Sequence, residues 1–223
     1  MAYTTGAITT KVQQRIRDTG YSNTEIRNYI NDAQNDVFNE YRLPFTQTVQ
    51  TYTLTSGVSD ITNGTGLPAN YVQALNLTLT SAGRETVLPY VDIRVIDDQY
   101  PDPDDTTVNP TGPPAMWYFY GNDVKVYPVP NDAYTVSLQY YKKPTELTAD
   151  GSVPEIPSEF EELLVVGASY RVLQVKDNYD QAAILQNKYD EILQKLVMKY
   201  SQPQVGRPHI MRINRYAIGK KNY

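Results

Sequence analysis

The chain of 223 residues has no cysteine and a single histidine, His209. Without thiols there is no disulfide, no thiolate nucleophile and no Cys-ligated zinc or iron–sulfur cluster. A Ser-His-Asp or Cys-His arrangement needs a base held in a pocket, and a lone histidine among the basic residues near the end of the chain fits that poorly. Phosphate-cradling glycine signatures are missing too: there is no P-loop pattern, and Gly64-Thr65-Gly66 is too short a match to a dinucleotide fingerprint. No apolar run approaches the roughly 20 residues of a membrane-spanning helix. The opening residues MAYTTGAITTKVQQR lack the apolar core of a signal peptide, so a secretory precursor is not expected. The Asn-x-Thr triplets at Asn63 and Asn76 are accordingly not expected to carry glycans. Phenylalanine is scarce, at 4 against 20 tyrosines. Tyrosine offers broad contact area with a polar tip, suited either to half-exposed strands or to surfaces that meet proteins or sugars.

What is present is an acidic body with a basic end. Residues 201–223 hold Arg207, Arg212, Arg215, Lys220 and Lys221 and no acid, a charge of +5, so residues 1–200 carry −10 within a total of −5. Hydrophobic residues make up 40% of the chain, enough for a real core. The basic end has three readings. It is a solvated terminus, a phosphate-neutralising arm, or a peptide that inserts into a partner protein. An acidic body repels DNA, and no groove-reading motif accompanies the arm. Ile210, Ile213 and Tyr216 are interleaved with Arg207, Arg212, Arg215, Lys220 and Lys221, placing apolar anchors among charges, which favours docking.

Periodicity orders the rest. Ile8, Val12 and Ile16 mark a first amphipathic helix ended by Gly20. Ser22 and Glu25 form a capping box for a second helix, with Ile26, Ile30, Ala33 and Val37 on its apolar side, Arg27, Asn31 and Asp36 on the other, and Pro44 closing it. From Phe45 the period becomes two: Val49, Tyr52 and Leu54 in one strand, then Tyr71 to Leu79 with Leu75, Leu77 and Leu79 alternating, and Thr86 to Tyr90 after a turn at Ala82-Gly83. A helical turn is expected over 91–96. Met116 to Tyr120 and Val124 to Tyr127 flank a Gly121-Asn122-Asp123 turn, and Tyr134 to Tyr141 ends the β-rich part. Pro157-Ser158 with Glu161 reads as another capping box. The helix behind it carries Phe160, Leu163, Leu164, Gly167, Tyr170 and Leu173 on its inner side. A corner at Lys176-Asp177-Asn178 leads to a long helix with Ala182, Leu185, Tyr189, Ile192, Leu196 and Tyr200 facing inward. The expected class is α+β: a helical bundle from residues 1–44 and 154–200, a β-rich lobe from 45–153, and a basic docking tail over 201–223.

Chemistry-bearing clusters are few. Asp97, Asp98, Asp102, Asp104 and Asp105 offer hard oxygen ligands but lack the spacing and glycine of an EF-hand loop, so a solvated loop or charged contact surface is the better reading and no metal is assigned. A carbohydrate-binding or -degrading protein using the tyrosines and paired carboxylates finds no support in acid spacing. No catalytic residue and no cofactor is assigned.

Three stretches in order carry a resemblance: Tyr29-Ile30-Asn31-Asp32-Ala33-Gln34 on the capped helix; Gly112-Pro113-Pro114 followed by the aromatic hairpin with Gly121-Asn122-Asp123 and Val124-Lys125-Val126-Tyr127-Pro128-Val129-Pro130; and Ile156-Pro157-Ser158-Glu159-Phe160-Glu161-Glu162-Leu163-Leu164. Over most of residues 8–200 the chain resembles the head-to-tail adaptors of tailed, podovirus-like bacteriophages. The resemblance implies a virion structural protein that is not an enzyme. It implies a self-assembled ring, usually a dodecamer, bound beneath the portal protein through the helical part and a C-terminal extension. It implies further that the sheet contacts a downstream tail or nozzle protein and that DNA passes through the channel without sequence-specific binding. The alternative is another neck or tail subunit, a nozzle or tail-completion protein.

Overall fold

The computed structural model describes residues 3–81 and 83–201. They form an α+β protein with, among the described residues, five α-helices, a four-stranded antiparallel sheet and a two-stranded sheet.

Helix α1 (Thr5–Ile16) is capped by the Thr4 side chain, which accepts from the Ala7 N–H, and ends at Arg17 in the left-handed region, short of Gly20. Helix α2 (Asn23–Glu40) starts from the expected box: Ser22 accepts from the Glu25 N–H while the Glu25 carboxylate accepts from the Ser22 N–H. Its stripe of Ile26, Ile30, Ala33 and Val37 is fully buried. A short helix, α3 (Ile93–Gln99), takes the place of the expected turn, with Asp92 as its cap. Helices α4 (Glu161–Val175) and α5 (Tyr179–Ser201) make the C-terminal hairpin.

Two sequence expectations fail on α4. The box at Ser158 does not form; residues Ser158–Phe160 make a 3-10 turn, and α4 begins without a side-chain cap. The Glu161 carboxylate is drawn instead to Lys11 of α1, at 2.6 Å. Nor is there a single inner side, since Leu163 through Ser169 are buried without a break. The cause is position: α4 packs against α1, α2 and α5 at once, and a central helix is apolar all round. At Gly167 the approach is so close that a Cβ would sit 2.8 Å from the Ala33 Cβ of α2 and 2.9 Å from the Tyr189 ring of α5.

The larger sheet has strand order β1-β6-β2-β3, from β1 (Gln47–Thr53), β2 (Tyr71–Ser81), β3 (Arg84–Leu88) and β6 (Thr135–Lys142). Between β2 and β3, Gly83 sits at φ 74, and Ala82 lies outside the described residues. The β4–β5 hairpin (Met116–Tyr120, Asp123–Tyr127) packs on its inner face, so Trp117, Val124 and Val126 meet Leu77, Leu79, Val136 and Leu138. Leu75 does not follow Leu77 and Leu79 inward and is 39% exposed. The register shifts between Ala74 and Asn76, leaving Leu75 unpaired, and an extra residue inverts the side-chain phase beyond it.

The chain leaving β6 is held against the helices by polar side chains of α2. The Asn31 amide accepts from the Leu147 N–H at 2.9 Å and donates to the Leu147 carbonyl at 3.2 Å. Gln34 does the same across the segment, accepting from the Glu155 N–H and donating to the Thr145 carbonyl. Asn31, expected on the solvent side, is therefore only 8% exposed. The Tyr3 hydroxyl donates to the Ile156 carbonyl and Thr5 to that of Ser152, so α1 closes the far end of the same clamp.

Candidate functional site

Arg207, Ile210, Arg212, Ile213, Arg215, Tyr216, Lys220 and Lys221 lie outside the described residues, as does His209. The described surface offers a charged groove, a folded acidic loop and two free strand edges.

The groove runs between α2 and α5 and has a volume of about 550 Å³. Asp36, Glu40 and Asp190 line it with Asn39, Tyr41, Tyr189 and Gln194. Burial raises the Asp36 carboxyl above its ordinary value, against the pull of the paired Arg171. Arg171 also lies over the ring of Tyr189, one of the lining residues, at 5.9 Å. Such a groove is suited to a cationic side chain by charge.

The Asp97–Asp105 stretch is organised as a loop. Asp104 accepts from Lys125 of β5 at 2.5 Å and from the Ser59 hydroxyl at 2.6 Å. Burial alone raises the Asp104 carboxyl, but these hydrogen bonds outweigh it and hold it below the ordinary range. Asp105 accepts from the N–H and hydroxyl of Thr107, and the Asn109 amide donates to the Asp102 carbonyl at 2.8 Å. Behind the loop, burial and then the charges of Asp104 and Asp97 push the Tyr118 hydroxyl upward, so it stays protonated. Among the described residues no group of three His, Cys, Asp or Glu could hold a metal ion.

The tyrosines divide between two roles. Tyr118, Tyr127, Tyr140 and Tyr189 are core residues, whereas Tyr90, Tyr120 and Tyr179 are more than half exposed. Tyr90 leans edge-on against Trp117 at 5.0 Å.

Strand β1 pairs only with β6 and β3 only with β2 among the described residues, so the larger sheet has two open edges. Sequence reading did not pick out these edges. Their signal is compositional: Gln47–Thr53 reads QTVQTYT, with no charge, proline or glycine to discourage a further strand. The Asn31 and Gln34 clamp was also missed, since on a helix of mixed polarity a buried amide looks like a solvated one.

A family model described as SU10 adaptor protein matches residues 3–212, a span that takes in every described helix and strand. No curated protein matches the chain. No helix among the described residues is long and apolar enough to cross a membrane.

Proposed function

Because the chain belongs to the SU10 adaptor protein family, a family of phage head-to-tail adaptors, we propose that it forms a ring beneath the portal and joins capsid to tail. The extent of the family match carries this reading, since it runs through the helices and both sheets. In this role the protein is a structural component of the virion neck, made in the host bacterial cytoplasm, with no catalytic residue and no cofactor. The portal holds the helical part and the basic tail, with Arg207, Arg212, Arg215, Lys220 and Lys221 supplying charge and Ile210, Ile213 and Tyr216 supplying anchors. The β-rich part meets the next tail component.

The body's charge of −10 suits a channel wall along which DNA slides without sticking during ejection. A cryo-EM map with Lys and Arg lining that wall, in place of Asp and Glu, would remove this part of the reading.

Light scattering on the purified chain, alone and mixed with its portal ring, tests the proposal. A monomer that becomes a stoichiometric ring on the portal is the expected result. Failure to associate, or a stable large oligomer without the portal, would shift the assignment to another neck or tail subunit.

A further inference from the structure

We propose that neighbouring copies in the ring are joined edge to edge, β1 of one copy pairing antiparallel with β3 of the next. The inference rests on the ring reading above and identifies one of its seams. A ring of identical copies needs two different, mutually complementary patches on each copy. The two edges of one sheet supply such a pair. In the order β1-β6-β2-β3 every neighbour is antiparallel, so β1 and β3 run in opposite directions. Setting β3 beside the next copy's β1 therefore continues the alternation without inverting either molecule.

The two edges also match in detail. Strand β1 has none of the usual protections: no charge, no proline, and no register shift along its pairing with β6. Every residue of β1 is exposed or half-buried. On β3, Arg84 through Val87 are all exposed, while the Leu88 carbonyl is already taken by the Trp117 indole. Thr51, Ser137, Thr78 and Val87 lie in one cross-strand row on the outer face, and Val49 stands two residues from Thr51 on that same face. Val49 is 53% exposed and Val87 61% exposed, apolar side chains on the two edge strands of a face that carries hydroxyl and amide groups and, on β3, the carboxylate of Glu85. Antiparallel pairing sets Val49 of one copy over Val87 of the next and covers both. The seam is short, so it forms once the portal has placed the copies side by side.

The cysteine-free chain allows a clean test. The full-length V49C/V87C double variant is assembled on the portal ring, its mass is checked by light scattering, and a short bis-maleimide is added before a denaturing gel. The expected result is a ladder of multimers rising to ring size, with each single variant remaining monomeric on the gel. A ring of the right mass without a ladder overturns the edge pairing and leaves the adaptor reading intact. Cross-linked dimers from V49C alone would mean β1 against β1, which also overturns it. No gain of mass on the portal overturns both readings together. As a second variant, Val49→Lys is expected to keep the melting temperature while losing ring formation; a V49K ring as abundant as the wild-type ring contradicts the seam.

Discussion

Asn31 pairs both backbone groups of Leu147 from a buried position, so its removal strands a donor and an acceptor together. Leaving such groups unpaired costs about 1–3 kcal/mol each. Asn31→Ala should therefore lose roughly 2–6 kcal/mol by denaturant titration, whereas Asn35→Ala on the exposed side should stay within about 0.5 kcal/mol. At Gly167 the usual preference of a helix for alanine, about 1 kcal/mol, is reversed by collision with Ala33 and Tyr189. Gly167→Ala should be destabilised by about 1–3 kcal/mol, and a rise in melting temperature would contradict the close packing of α2, α4 and α5. Glu155 carries the pH dependence of the clamp. Burial raises its carboxyl, but bonds from Lys142 and Thr145 prevail and hold it below its ordinary value of 4.5. A depressed folded value stabilises in full above pH 4.5 and fades as the pH falls through it. Glu155→Gln should be less stable than wild type at neutral pH, with the gap narrowing on acidification below 4.5. A gap that widens there would reverse the sign argued for this group.

Helix starts show which signals a sequence carries by itself. The box at Ser22 closes among residues within three positions, so nothing distant competes and the local pattern is sufficient. The same pattern at Ser158 loses to Pro157 and to Lys11 on another helix, a partner no local window contains. Ser22→Ala should accordingly cost about 1 kcal/mol and Ser158→Ala under about 0.5 kcal/mol, as read from paired melting curves. Strands tell a similar story. The hairpin of β4 and β5 was legible because glycine marks its turn, at φ 61 on Gly121, between two apolar runs. The outward turn of Leu75 was not, because a bulge is set by the partner strand's register rather than by the residues beside it. Apolar stripes and their helices could be read from spacing. The polar residues that join one element to another could not, since tertiary position alone separates a buried amide from a solvated one.

For the molecule as a whole, charge separates the tail from the body. Removing residues 201–223 takes away +5. If those residues dock on the portal, the truncated chain should melt at the wild-type temperature and lose portal binding in a pull-down. Undiminished binding would move the contact onto the helices. The order of three motifs made the family legible, whereas the open edges of the sheet were not, because an edge exists only once strands are paired.

The clamp on residues 145–156 also decides how the molecule bears force. The sheet joins the helices through a short connection from α2 to β1 and a longer one from β6 to α4, and the longer one is pinned by Asn31, Gln34, Tyr3 and Thr5 before it reaches α4. A pull on β6 must strain these bonds before tension reaches α4. A force drawing the sheet away from the helices would thus be shared among α1 and α2 as well as α4.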